Sequence, residues 1–204
     1  MKITPSGAAA GKIGVLIEDH FDPTEFRLFN EYFPQRGYEV EYISYLWGNS
    51  ELKFGSNPDN GTVEEHVTVT KDFKDVELTE YQGFICIGAY ASDRLRYQPK
   101  PQPGQPNQAP AVEFLRQVMK TPGIKVGTIC HSLWLLCADQ KLLQGRKVTC
   151  AHNIICDVAN AGAEIIFGDE GTVDIYVDGD LISGKHPAVT ERFMEIFIKE
   201  IEHQ

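Results

Sequence analysis

The chain has 204 residues, 42% of them hydrophobic and 24% charged, and a mean hydropathy of −0.25, which suits a hydrated globular chain with a sizeable core and excludes disordered, collagen-like and coiled-coil classes. Acidic residues outnumber basic ones by 29 to 19, the net charge is −10 and no run of Lys or Arg interrupts it, so nucleic acid and anionic membranes are not expected partners. No apolar run approaches the roughly 18 to 20 residues of a spanning helix, and the five cysteines contain no Cys-x-x-Cys pair, which points to reduced thiols in a cytoplasm, with no metal site and no cofactor.

Residues 1–11, with Gly7-Ala8-Ala9-Ala10-Gly11, lack the apolar core of a signal peptide and read as an N-terminal extension to one domain over residues 12–204. Short Val- and Ile-rich runs then alternate with amphipathic stretches, the pattern of an α/β fold with a mostly parallel sheet between helices. Residues 12–17 predict a strand, 23–36 a helix capped at Gly37, and 38–43 a second strand, at the spacing of a βαβ unit. After a polar stretch at 47–60, residues 62–70 alternate as a short edge strand. Residues 84–87 are continuously apolar, as a buried parallel strand requires, and open into Gly88-Ala89. Five prolines in residues 98–110 make that segment an extended insertion, read as a lid, a subunit contact or a plain surface loop. A helix at 111–120, a strand at 125–129 and a helix at 131–138 follow. Further strands are expected at 148–150, 164–166, 174–177 and 181–183, the last two joined by Asp178-Gly179-Asp180, before a closing helix at 187–202.

The join Gly127-Thr128-Ile129-Cys130-His131-Ser132 leaves no turn residues between strand and helix. Cys130 at that corner has the setting of a nucleophile elbow, which needs small residues two positions away on each side, here Thr128 and Ser132. A thiol beside the N–H groups of a following helix is expected to be acidified, so Cys130 should be the most nucleophilic of the five. The acidic run Glu18-Asp19-His20-Phe21-Asp22 has no second ligand cluster and reads as a solvated loop.

Ile129-Cys130-His131-Ser132 resembles the "ICHG" elbow of the ThiJ/PfpI (DJ-one) superfamily. Pro23-Thr24-Glu25-Phe26 resembles its first strand–helix junction. Ile87-Gly88-Ala89, followed by Asp93-Arg94-Leu95-Arg96, is similar to its "PGG…ER" loop. Residues 141–147, Ala159-Asn160-Ala161-Gly162-Ala163 and Val177-Asp178-Gly179 resemble its "LL-GR-K", "NAGA" and "VDG" segments. The resemblance covers residues 12–201 and lies nearest the PfpI-type intracellular protease and amidase members. It implies a flavodoxin-like three-layer αβα sandwich of the class I glutamine amidotransferase type, assembled as a homodimer or larger homo-oligomer. It also implies Cys130 as nucleophile, Glu25 as its carboxylate neighbour, and amides near Gly88, Ala89 and His131 as oxyanion donors. His131 takes the imidazole position and Asp93 that of an acid from a neighbouring subunit, while His152 and His186 fall in segments that line the same sheet edge. Ala89 departs from the family's glycine, Asp93 from its more usual glutamate, and the proline-rich insertion from its compact members.

Three functions follow from this resemblance. The first is a cysteine hydrolase acting on peptide or amide bonds through Cys130. The second is a cofactor-free glyoxalase or deglycase, in which Cys130 adds to an α-oxoaldehyde and Glu25 or His131 moves the proton. The third is a redox sensor or stress chaperone whose Cys130 is oxidised to a sulfinic acid held by Glu25. The expected partner is a small-molecule or peptide substrate. Plainer readings stand beside these: His131 as a surface or capping residue, Glu25 as a first-turn acid, and Asp93 as a partner of Arg94 or Arg96.

Overall fold

The alternating apolar runs build a sheet with a greasy layer on each face. A computed structural model describes residues 10–60 and 63–203. In chain order its strands are β1 (Gly11–Leu16), β2 (Tyr38–Ser44), β3 (Leu52–Gly55), β4 (His66–Val69), β5 (Lys71–Asp72), β6 (Tyr81–Cys86), β7 (Lys125–Ile129), β8 (Lys147–Val148), β9 (Glu164–Ile165), β10 (Phe167–Gly168), β11 (Gly171–Thr172), β12 (Ile175–Asp178) and β13 (Leu181–Gly184). The helices are α1 (Pro23–Gln35), α2 (Ala91–Leu95), α3 (Pro110–Val118), α4 (Gln140–Leu143), α5 (Ile155–Asn160) and α6 (Thr190–Glu202).

Seven strands form the main sheet in the order β12-β13-β7-β6-β1-β2-β5. Every pairing in it is parallel except β12 with β13. Side chains that alternate along each strand separate onto two faces. Ile13, Val15, Ile85 and Ile182 pack with Phe29 and Phe33 of α1 and Phe193 and Phe197 of α6. Phe84, Cys86, Val126 and Leu181 pack on the opposite face with Phe114 and Leu115 of α3 and with Leu133 and Leu136. Burying each such side chain contributes roughly 1.5–3 kcal/mol. The result is a flavodoxin-like αβα sandwich, as the sequence resemblance implies.

Several local expectations are corrected. Residues 1–9 of the expected extension lie outside the described residues, and Gly11 already belongs to β1. Thr62 also lies outside them. The alternating segment pairs instead with β3, a strand not expected from the sequence, as a separate antiparallel hairpin. The sheet edge beside β2 is taken by β5, which pairs with Ile43 and Ser44. The segment at 148–150 gives only β8, because the Thr149 N–H donates to Ser183 Oγ at 2.9 Å and the strand leaves its ladder. Most consequentially, Cys130–Ala138 winds as a 3₁₀ helix rather than an α-helix. The proline-rich segment is largely exposed and closes on itself where the Gln108 N–H donates to Gln98 Oε1 at 3.0 Å, before Pro110 opens α3.

The start of α1 is set by Asp22-Pro23. Asp22 Oδ1 accepts the N–H groups of Thr24 and Glu25, each at 2.9 Å, and Pro23 supplies a first-turn residue that needs no donor. That cap turns Glu25 inward, where it is fully buried.

Candidate active site

The chain leaves β1, β6, β7 and β13 at their carboxyl ends on one edge of the sheet, the usual place for a site in this architecture. Residues from these exits line a cavity of about 410 Å³: Asp22 and Thr24, Ala89 and Tyr90, Cys130 and His131, His186 and Pro187. Asn57, Ala151, His152 and Asn153 complete its wall.

Cys130 has a φ of +57°, the left-handed conformation that costs a side-chain-bearing residue roughly 1–2 kcal/mol. The elbow is held by the Ile129 N–H donating to Ser132 Oγ at 2.8 Å and by the Ala151 N–H donating to the Cys130 carbonyl at 3.3 Å. Ala89, across the cavity, is also left-handed at +57°. From these two positions the backbone N–H groups of His131 and Ala89 favour the ionised form of the Cys130 sulfur.

Glu25 lies beside that sulfur in a dry setting. Its Oε2 accepts the Gly88 N–H at 2.7 Å, while Oε1 is buried without a hydrogen-bond partner among the described residues. A Cβ at Gly88 would stand 2.4 Å from Oε1, so only glycine admits the carboxyl here. Burial, followed by the negative charge of Asp22, pushes the Glu25 carboxyl well above its ordinary range against the opposing Gly88 amide. Burial thus favours the protonated form of Glu25, and the unpartnered Oε1 is the oxygen left open to that proton.

This geometry corrects two expectations. The Gly88 N–H is engaged by Glu25, so Ala89 and His131, not Gly88, present donors at the sulfur. The thiol is also not acidified: burial pushes Cys130 up to about 12, the Glu25 charge adds to that, and the His131 and Ala89 amides pull the other way. The helix-end effect is outweighed because the thiol is desolvated beside a carboxyl. While Glu25 keeps its proton, its repulsion of a thiolate is absent, and a neutral carboxyl can donate to the sulfur instead.

His131, His152 and His186 all line the cavity. The His131 Nε2 contacts the Asn153 side-chain amide, and its ring meets Tyr90 at 5.7 Å between centroids in an edge arrangement. His186 Nδ1 accepts the Ala188 N–H at 3.1 Å, which places the proton of a neutral His186 on Nε2. Asp93 is not among the residues lining this cavity. It is exposed and borders a neighbouring one. Partial burial raises its carboxyl, with His131 the largest opposing influence, so the two groups sense each other without Asp93 lining the Cys130 cavity.

Asp22, Asn57, Tyr90 and Asn153 were not anticipated from the sequence. The Asp22-Pro23 pair ahead of an amphipathic stretch is an N-cap signal that could have singled out Asp22. Asn57 and Asn153 arrive from distant loops with no local pattern. All five cysteines are free: Cys86 and Cys150 are buried, Cys130 and Cys137 half-buried, and Cys156 exposed. Among the described residues no group of three His, Cys, Asp or Glu side chains is disposed to hold a metal ion, and no helix is long and apolar enough to cross a membrane.

Comparison with known proteins agrees with this architecture. Protein/nucleic acid deglycase 2 of Escherichia coli (strain K12) is 32% identical over 177 residues, covering 86% of this chain and 89% of that protein. YraA of Bacillus subtilis (strain 168), named provisionally as a cysteine protease, is 26% identical over 182 residues, covering 89% of this chain and 93% of its own. The crystal structure of a ThiJ/PfpI domain protein from Brachyspira murdochii superposes with a TM-score of 0.76 at 14% identity, covering 97% of this chain and 99% of that one. The model of the DJ-1/PfpI family matches residues 11–200, and the chain belongs to that family.

Proposed function

We propose that the chain is a cysteine-dependent enzyme acting on α-oxoaldehydes or on the adducts they form with amines, the glyoxalase or deglycase reading. One observation carries it: a fully buried carboxyl, Glu25, whose protonated form burial favours, beside a sulfur whose ionised form the His131 and Ala89 backbone N–H groups favour. The deglycase name of the Escherichia coli relative supports the same reading.

In this mechanism Cys130 Sγ bonds to the aldehyde carbon, its proton passes to His131, and Glu25 protonates the carbonyl oxygen to give a hemithioacetal. The Glu25 carboxylate so formed takes the proton from that carbon, while His131 returns its own to the neighbouring carbonyl oxygen, leaving an enediol. Glu25 then protonates the second carbon and His131 takes the hydroxyl proton of the first, which produces a thioester. Water cleaves the thioester, its proton returning to Glu25 while His131 reprotonates the sulfur, and a 2-hydroxy acid leaves. With an amine adduct as substrate, the thiol proton again passes to His131, and the amine departs with the Glu25 proton as the carbon–sulfur bond forms, giving the same hemithioacetal.

A second reading, hydrolysis of a peptide or amide, is favoured by the His131 backbone N–H acting on the sulfur while its imidazole lines the same cavity, and by the name of the Bacillus subtilis relative. Lactate formation from methylglyoxal and cleavage of a fluorogenic peptide, measured in parallel, separate the two. The first reading expects lactate, lost in both Cys130→Ser and Glu25→Gln. Peptide cleavage lost in Cys130→Ser but kept in Glu25→Gln would replace it with the second. Absence of both activities overturns both.

A further inference from the structure

The segment holding Tyr90 and α2 separates the Cys130 cavity from a larger one. Tyr90 faces the first, while Asp93 and Arg94, with Glu18, Trp47 and Tyr97, line a second of about 630 Å³. Large aromatic side chains normally go to the core. Trp47 nevertheless remains 43% exposed and Tyr97 59% exposed, their ring centroids 5.6 Å apart and tilted by 58°. Tyr45 supports the Trp47 ring edge-on at 4.6 Å.

The outward position of Trp47 is imposed from below. Its φ of +54° is one a tryptophan rarely adopts. The turn is fixed because the Leu46 N–H donates to the buried Asp72 Oδ2 at 2.9 Å and the Leu46 carbonyl accepts from the Asn49 side chain at 2.9 Å. The ring faces carry negative quadrupole density, and Glu18 and Asp93 add carboxylates to the same wall. Arg94 is the cation in this lining. The chain's net charge of −10 draws cations toward it generally.

We propose that this second cavity binds a cationic group, the guanidinium or ammonium of an arginine- or lysine-bearing peptide, over Trp47 and Tyr97 and against Glu18 and Asp93. Arg94 competes with that ligand for the two carboxylates and is displaced when it binds. As a statement about which molecules reach Cys130 the proposal rests on the reading above; the binding step does not.

Calorimetric titration of the Cys130→Ser protein with N-acetylarginine amide, against its neutral citrulline counterpart, tests it. The arginine compound binds about tenfold more tightly, a margin expected of a cation on an aromatic pair beside carboxylates. Trp47→Ala removes most of that margin, Arg94→Gln widens it severalfold, and raised salt narrows it. Equal affinity for the two compounds, or a margin unmoved by Trp47→Ala and Arg94→Gln alike, overturns the proposal. So does a homodimer in sedimentation that Trp47→Ala dissociates, because a second copy would then cover the cavity. Cation binding without lactate formation in the wild type sinks the functional reading alone; lactate formation without cation binding sinks this inference alone.

Discussion

The two sides of the Cys130 cavity are built on different principles. On one side Glu25 is completely buried, capped from below by Asp22 and pinned to the Gly88 amide, with no room even for a methyl group between them. On the other, His131 is half-buried, and His152, Asn153 and His186 are exposed. The dry side favours the protonated form of a carboxyl that water would ionise. The wet side can exchange protons with solvent and adjust to what enters. On the proposed function, proton storage and substrate contact fall on opposite walls, and substitutions on the two walls should have different signatures.

The sharpest test of that division removes the sulfur. Cys130→Ser should lower turnover by about a thousandfold or more while leaving the melting temperature nearly unchanged, as read by steady-state assay and calorimetry. Glu25→Gln should cost about 10²–10⁴-fold in kcat, whereas His152→Ala on the wet wall should act mainly on KM. Equal losses of kcat at both positions would erase the distinction. Gly88→Ala should displace the Glu25 carboxyl, destabilising the fold by roughly 1–3 kcal/mol and reducing turnover together.

The dry wall also has a pH signature. A carboxyl held well above its ordinary range in the folded chain binds a proton that the unfolded chain has already released. Folding stability from Glu25 is thus complete below the unfolded value near 4.3 and falls as pH rises toward the folded value, by at most about 1.4 kcal/mol per pH unit. Glu25→Gln should flatten that fall, so its stability relative to wild type should grow with pH in urea titrations at pH 4, 6 and 8. A difference that stays constant would mean that the Glu25 carboxyl titrates alike in the folded and unfolded chains. Asp22→Asn keeps an N-cap oxygen but deletes the charge that raises both Glu25 and Cys130. It should therefore speed Cys130 alkylation at pH 8. The smallest effect is expected at Ala89, where glycine would relieve a left-handed alanine and shift stability by no more than about 1 kcal/mol.

The layered fold was legible because strands buried on both faces are apolar throughout, and β7 was bounded correctly for that reason. The elbow was legible because Cys130 follows Ile129 with no turn residues between strand and helix. The 3₁₀ winding after it was not. Leu133, Leu135 and Leu136 are all buried and Trp134 lies under Arg96 at 3.9 Å, so packing on several sides, rather than a helical stripe, decides the geometry. β3 escaped because four residues ending in a glycine give too short an alternation. At the site, residue types and neighbours were readable, but protonation was not. Helix-end reasoning acidifies Cys130, and the burial of the thiol itself, with the Glu25 charge second, reverses the sign.

The distribution of the five thiols decides how this protein responds to electrophiles. Cys156 is exposed, whereas burial holds Cys130 up at about 12 and Cys137 up at about 11. A reagent added at neutral pH will therefore mark Cys156 first, and total thiol titre will report a surface position with no place in the cavity. Inhibitor screens and oxidation studies acquire meaning only in a Cys156→Ser background, where loss of a thiol and loss of activity can refer to the same sulfur.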